Sequence, residues 1–389
     1  METFDVVVIG AGLAGLQCSR LLAANGFRIL LVDRKPSVAH SVHTTGIFVR
    51  RTLEDFAFPE DCLGPPVRHV TLYSPARRSM ELESPHEEFR VGRMGMLYER
   101  FLNQSVAAGV EWMPATRFVG LRADGSNSVV HLEGQGFTRQ VQTSLVVGAD
   151  GANSRVARAL GLDQNQEWIV GIEEVFENVP LDGPPRFHCF LDPRISPGYL
   201  AWAVHDGEQI HVGVGGYSAS FDPHAALEEF KDSLNDIIDL RHARFVEKRG
   251  GRIPVGGIMR RIANERGLLV GDAAGAVSPL TAGGLDPCMR LSTFAANEIA
   301  TYLRAEASGS LASYSGEQFR ARFMSRLWLR RVLKKMEEPA LIELACAVMR
   351  LPVFRSFAWH VFFGRNSFPD VDLSIAESPA TAELAASKS

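Results

Sequence analysis

The 389-residue chain is 46% hydrophobic and 22% charged, the proportions of a soluble globular protein with ample core. Its formal charge of −4 gives no reason to expect nucleic acid or a generally anionic surface as partner. Cys18, Cys62, Cys189, Cys288 and Cys346 are scattered, odd in number and without a CxxC pair, which argues against a disulfide framework or a zinc site and for a reducing compartment.

The N-terminus enters a strand at once, with Asp5 inside it, and so reads as no signal peptide. No uncharged apolar run approaches the roughly 18 residues of a spanning helix, so the expected location is cytoplasmic. Residues 6–9 read as a fully buried parallel strand. Gly10-Ala-Gly-Leu-Ala-Gly15 follows. In that pattern Gly10 turns the chain, Gly12 admits a pyrophosphate to the backbone, and Gly15 lets the next helix pack close. The helix start, with Leu13 and Ala14, aims unpaired N–H groups and a positive dipole end at the phosphates. Residues 28–32 form the second strand, and Asp33 at its tip, beside Arg34, can accept both hydroxyls of an adenosine ribose. A glycine turn between strand and helix, with an acid about 20 residues on, predicts dinucleotide binding.

A loop with His40-Ser-Val-His-Thr-Thr-Gly46 comes next, then a short helix near 49–56 and a strand pair over 67–73 and 79–82. Residues 93–108 read as a helix ended by Gly109. Three strand-like runs between 118 and 147 lead into Gly148-Ala-Asp-Gly-Ala-Asn-Ser-Arg155. Residues 169–252 change character: strands among Pro and Gly turns, with one helix near 224–240, predict an antiparallel sheet interrupting the nucleotide domain. Residues 268–270 return to parallel-strand character before Gly271-Asp-Ala-Ala-Gly-Ala-Val-Ser-Pro-Leu-Thr-Ala-Gly-Gly284 and a long helix over about 286–305. Each of the three glycine motifs follows a short apolar strand and precedes a helix, so all three can meet at the carboxyl edge of one parallel sheet. Asp272 there can hold a polyhydroxyl chain, and Gly283-Gly284 can aim N–H groups at developing negative charge.

In this order and spacing the three motifs resemble the FAD-dependent oxidoreductases that include the geranylgeranyl reductases and the group A flavin monooxygenases. The resemblance covers about residues 2–305. It implies an α/β fold: a Rossmann-like FAD-binding domain (1–66, 91–164 and 266–310) interrupted by an antiparallel-sheet substrate domain (67–90 and 165–265). A helical C-terminal region (311–370) and a disordered tail (371–389) complete the expected organisation. The implied cofactor is FAD, with Gly10, Gly12, Leu13, Ala14, Gly15, Asp33 and Arg34 at its ADP half. Gly271, Asp272 and Pro279 would serve the ribityl and pyrophosphate, and Gly283, Gly284 and Leu285 the pyrimidine edge of the ring. Arg93 stands where the family often places an arginine beside the cofactor, and Asp150 matches an acid near the pyrophosphate. NAD(P)H or another reductant would visit transiently, since no second glycine loop has the strand–turn–helix setting.

Within that superfamily the motif over 271–281 is similar to the geranylgeranyl reductase pattern. Tyr199 and Trp202, followed by Gly213 and Gly215, resemble the reductases' substrate motif, with Val204-His205 in place of Phe-Pro. The implied activity is reduction of C=C bonds in an apolar or isoprenoid substrate, such as a prenyl lipid, by hydride from reduced flavin. The alternatives are a monooxygenase using a flavin hydroperoxide and a flavin-bound lipid-binding module without turnover. His43, on the loop expected to pass the ring, is the candidate proton donor; a plain loop histidine is the other reading. His205 and His211 read as exposed strand residues, and Cys288 as a buried, inert thiol. Finally, residues 319–336 carry seven basic residues and no acid. Arg322, Arg326, Arg330 and Lys334 lie four apart, a stripe that can rest on an anionic membrane or face a lipid head group. No metal ligands stand out, and nothing in the sequence specifies an oligomeric state.

Overall fold

Strand Glu2–Ile9, whose Val6, Val7 and Val8 are wholly buried, lies within an eight-stranded sheet. The computed structural model describes residues 1–180, 183–217, 221–305, 311–364 and 368, the side chains of 312, 321 and 322 excepted. The tail expected to be disordered, 371–389, lies outside the described residues.

Apolar side chains on both faces of a strand demand cover on both sides, which parallel sheets obtain from crossover helices. Here Glu2–Ile9 pairs in parallel with Phe137–Gly148 on one side and Ile29–Val32 on the other. Glu111–Met113 and Gly267–Leu269 extend the sheet outward, also in parallel. Arg117–Asp124 and Asn127–Gly134 form an antiparallel extension from the start of the Phe137–Gly148 strand. Helices Leu13–Ala24, Met94–Ala107 and Leu285–Arg304 pack together, and Gln17 Nε2 donates to Thr293 Oγ1 at 3.2 Å between two of them.

The second sheet has seven strands in the order Arg244–Pro254, Trp168–Glu177, Gln209–Gly216, Ala201–His205, Arg186–Phe190, His69–Tyr73 and Ser79–Glu83. All pairs are antiparallel except Arg186–Phe190 with His69–Tyr73. Alternation along its strands separates two faces. Ile172, Phe176, Val212 and Val214 pack with Leu227, Phe230 and Leu234 of helix Pro223–Leu234. Glu173, Trp202, His211 and Gly213 occupy the opposite face.

Helices Glu317–Lys335, Pro339–Met349 and Pro352–Phe363 close the described chain, the last two opened by proline in the first turn. The last helix is tied to strand Ser79–Glu83 through Arg355 to the Glu81 carbonyl and Trp359 to the Glu83 carbonyl. Its outer side and that of its neighbour are apolar and exposed: Leu344 at 62%, Val353 at 80%, with Leu341, Leu351, Phe354 and Phe357. Among the described residues no helix is long and apolar enough to cross a membrane. All five cysteines are free and buried.

Candidate functional site

The glycine loop is built by close approach. Gly10 has φ +107°, a conformation side chains rarely adopt, and a Cβ there would lie 2.2 Å from the Ala149 carbonyl oxygen. A Cβ at Gly15 would lie 1.8 Å from the Gly10 oxygen, so only glycine lets helix Leu13–Ala24 sit against the strand. A Cβ at Gly12 would meet nothing within 4 Å; it would point into open space. The helix has neither a side-chain cap nor an acid in its first turn, so its leading N–H groups are left for a ligand. Asp33 orients this loop: its Oδ2 accepts from Ala11 N–H at 2.7 Å, and Oδ1 accepts from Lys35 N–H at 2.8 Å.

Across the sheet edge, Gly271 and Asp272 follow strand Gly267–Leu269, and Gly284 opens helix Leu285–Arg304 without a side-chain cap. Burial alone raises the Asp272 carboxyl to about 6. These groups share one cavity of about 1290 Å³. Gly10, Gly12, Leu13, Ala14, Asp33, Arg34, Asp150, Gly271, Asp272, Gly283, Gly284 and Leu285 line it, as do His43, Tyr199 and Trp202.

Three expected residues are placed otherwise. Gly15 acts behind the wall, through the packing just described. Pro279 does not line the cavity, although its neighbours Ser278 and Leu280 do. Arg93 is also absent from the lining; its Nη2 is 2.7 Å from Glu208, at the far end of the second sheet's hairpin. Asp150 does line the cavity, but both its oxygens are engaged by the chain. Oδ1 accepts from Ser154, and Oδ2 accepts from the N–H groups of Arg155 and Val156, at the start of helix Arg155–Ala159.

The opposite wall comes from the second sheet. Trp202 lies over Gly213, where a Cβ would be 2.3 Å from the indole, and Tyr199 lies over Gly215, where it would be 2.6 Å from the ring. The glycine pair is therefore what gives these two aromatics room. Tyr199 Oη donates to the Thr281 carbonyl at 2.8 Å, linking this wall to the 278–284 loop. Trp202 Nε1 donates to Glu173 Oε2 at 2.9 Å.

Glu173 and Asp206 have no counterpart among the sequence expectations. Glu173 is 4% exposed, and its Oε2 also accepts from Thr45 Oγ1 at 2.5 Å. Its Oε1 lies 3.2 Å from His211 Nδ1, whose Nε2 lies 3.3 Å from Asp206 Oδ2. His211, read from sequence as exposed, is 2% exposed: position 211 falls on the inward face of strand Gln209–Gly216. Burial lowers its basicity, but two flanking carboxylates prevail and hold the imidazolium up to about 9. Alternation on the strands could have flagged the inward face, but not the partners. By contrast, His43 is exposed at the cavity rim. Partial burial, then Lys35 and Arg34, lower its pKa, so it is poorly supplied with a proton near neutrality.

Of the basic stripe expected to rest on a membrane or face a lipid head group, Arg326 and Arg330 face the cavity and Lys334 is exposed. Arg330 is 2% exposed, its guanidinium 5.0 Å from the Tyr199 ring and 5.3 Å from the Tyr217 ring. Arg326 Nη1 donates to Ser278 Oγ at 2.8 Å, and Lys334 is 3.3 Å from Glu167. Tyr199, Tyr217 and the 278–284 loop lie against the side of the helix that carries Arg326 and Arg330. The side chain of Arg322 lies outside the described residues. Cys288 is buried, and its thiol is pushed well above the ordinary value, primarily by burial.

Comparison with known proteins agrees with this geometry. The FAD binding domain family matches residues 3–327. The digeranylgeranylglycerophospholipid reductase of Methanocaldococcus jannaschii is 27% identical over 357 residues, 89% of this chain and 91% of that protein. Its namesake in Methanopyrus kandleri is 30% identical over 297 residues, 74% and 77% of the two chains. In fold, a geranylgeranyl bacteriochlorophyll reductase-like protein of Thermoplasma acidophilum has a TM-score of 0.72 at 19% identity, covering 100% of this chain and 97% of that one. A p-nitrophenol 4-monooxygenase of Pseudomonas putida has a TM-score of 0.73 at 17% identity, covering 95% and 100%. The protein belongs to the FAD binding domain family and is an FAD-dependent oxidoreductase of the superfamily that holds the geranylgeranyl reductases and the group A flavin monooxygenases.

Proposed function

We propose that the protein reduces carbon–carbon double bonds in the isoprenoid chain of a phospholipid. The observation that carries this reading is the continuity of one cavity. It runs from the glycine loop past Tyr199 and Trp202 to an apolar wall of Leu333, Met336, Ile342, Met349 and Phe362. A long apolar chain fits such a wall far better than a small polar metabolite does. Full-length similarity to the named phospholipid reductases supports the same substrate class. Arg326 and Arg330, with no carboxylate ion pair among the described residues, give the cavity a cationic side suited to an anionic head group.

The cofactor roles follow the chemistry of each group. The N–H groups of Gly12, Leu13 and Ala14 suit a pyrophosphate, Asp33 and Arg34 the adenosine end, and Asp272 the ribityl hydroxyls. Gly283, Gly284 and Leu285 present backbone donors to the pyrimidine edge. FAD, once reduced, supplies the double bond with two electrons and one hydrogen, and the second hydrogen arrives as a proton. NAD(P)H serves as a transient electron donor.

The lipid reaches the site from a bilayer surface. Leu341, Leu344, Leu351, Val353, Phe354 and Phe357 form an exposed apolar face on the same two helices whose inner sides line the cavity. Lys335, Arg350 and Arg355 flank it, suiting an anionic membrane. The five buried free thiols favour a reducing cytoplasmic setting.

The test mixes anaerobically reduced holoenzyme with digeranylgeranylglycerophospholipid. Reoxidation of the flavin, with the lipid gaining pairs of hydrogens, is expected. A lipid inert without oxygen but gaining an oxygen atom once oxygen is admitted would instead favour the monooxygenase reading that the P. putida fold likeness keeps in view.

A further inference from the structure

Reduction of a double bond requires a proton at the second carbon, and the cavity wall holds one buried acid–base chain that ends on a cavity-lining hydroxyl. We infer that Thr45, Glu173 and His211, backed by Asp206, form the route that delivers this proton. The inference rests on the reduction reading above and names the proton path for it.

The chain is assembled by register. Glu173 pairs with Gly213, which pairs with Trp202 on the next strand, and on its other side Glu173 pairs with Arg249. With no side chain at Gly213, Glu173 and Trp202 can meet across the intervening strand. His211, two residues from Gly213, shares that face. Glu173 then connects two directions: Oε2 to Thr45 and Trp202 at the cavity, Oε1 to His211 behind it. Asp206 is held by the N–H groups of Glu208 and Gln209 in the hairpin turn, where Gly207 and Glu208 are exposed. The chain thus runs from a solvent-facing turn to the cavity.

Stability alone does not account for this arrangement. A buried ion cluster loses the hydration of every member, and apolar residues of similar volume hold a sheet as well or better. A purely structural cluster has no need to end on Thr45, which lines the cavity.

Among the described residues, the charged and titratable groups facing the pair come from the same sheet. Asp206 and Glu173 flank the imidazole, Arg249 Nη1 is 3.6 Å from Glu173, and His205 stands on the adjoining strand with its own pKa lowered by burial. One proton is shared by His211 and Glu173, as imidazolium with carboxylate or as imidazole with carboxylic acid. In the second form the proton sits on the oxygen facing His211, and a half-turn of the carboxyl carries that O–H to the Thr45 side, where it breaks as a new bond forms to Thr45 Oγ1. The former Thr45 O–H bond breaks at the same time, and its proton joins the substrate carbon carrying the electron pair of the opened double bond. Glu173 is left as carboxylate and His211 as imidazole. That imidazole keeps its N–H toward Asp206; a half-turn of the ring presents this N–H to Glu173, and solvent at the 206–208 turn protonates the bare nitrogen then beside Asp206.

The test compares wild-type holoenzyme with Glu173→Gln, Glu173→Asp and Asp206→Asn, each with FAD content and melting temperature recorded. With digeranylgeranylglycerophospholipid, Glu173→Gln should lower kcat about 100-fold at unchanged FAD content, and Glu173→Asp should restore part of it. Asp206→Asn should shift the alkaline limb of kcat to lower pH. A second readout needs no turnover: nitrogen NMR of lipid-free protein should find His211 as imidazolium at about pH 8 in wild type and as neutral imidazole in Glu173→Gln. Wild-type kcat in Glu173→Gln, or a His211 whose charge is the same in wild type and in Glu173→Gln, overturns the route while leaving the reduction reading intact. Wild type inert toward the lipid overturns the reduction reading, and the route with it.

Discussion

The two walls of the cavity are made by different means. The nucleotide wall is mostly backbone: a glycine turn, two uncapped helix starts and strands whose side chains only fill the core. The second sheet's wall is mostly side chain: two aromatics over two glycines, a histidine between two carboxylates, and an arginine between two tyrosines. A backbone site is specified by residues adjacent in sequence, because the turn itself is the ligand-binding group. A side-chain site is specified by the register between strands far apart in the chain.

That contrast can be broken by substitution. The largest effect is expected for Gly15→Val, whose first carbon collides with the Gly10 carbonyl. It should cost more than about 5 kcal/mol and leave little folded protein, as read by circular dichroism of the purified chain. Gly12→Val, whose side chain enters open space, should keep the fold but weaken FAD binding at least about 100-fold, roughly 3 kcal/mol, giving colourless protein with an apo-like melting curve. Gly213→Val should do the reverse: it displaces the Trp202 indole, lowering kcat about 100-fold while the protein remains yellow. A Gly213→Val protein that purifies without flavin would break the separation of the two walls.

The smallest effect sharpens the comparison through pH. The folded-state pKa of His211 is raised from 6.5 to about 9, so its contribution is fully present below 6.5 and is lost as pH rises through about 9. The contribution is on the order of 3 kcal/mol at low pH. Urea unfolding of wild type against His211→Gln should show the stability gap closing over that window, with FAD saturation held constant.

The same contrast governs what the sequence discloses. The glycine loop, Asp33, the Gly271-Asp272 motif and the Gly283-Gly284 helix start were legible because each is local, and they converge as expected. The antiparallel sheet was legible from alternation and turn residues. Glu173 was not: nothing within several residues of it distinguishes it from Glu174, which points the other way toward Lys231 and Lys248. His211 misled for the same reason, since polarity suggests exposure until the carboxylates across the strands are known. The basic helix was legible in part. Its periodicity was sound, but a stripe of cations specifies a face and not what that face meets, and here it meets Tyr199, Tyr217 and Ser278.

The five buried cysteines also turn the molecule into its own stability gauge. Cys18 lies in the helix after the glycine loop, Cys189 in the second sheet, Cys288 at the second helix start and Cys346 in the C-terminal helices, with Cys62 between the two sheets in sequence. Cys18 and Cys62, at 0% exposure and off the cavity wall, react only when their own neighbourhood opens, whereas Cys189, Cys288 and Cys346 line the cavity and are shielded by what fills it. Timed alkylation followed by peptide mapping therefore separates opening of the fold, read at Cys18 and Cys62, from occupancy of the cavity, read at the other three, without any engineered probe.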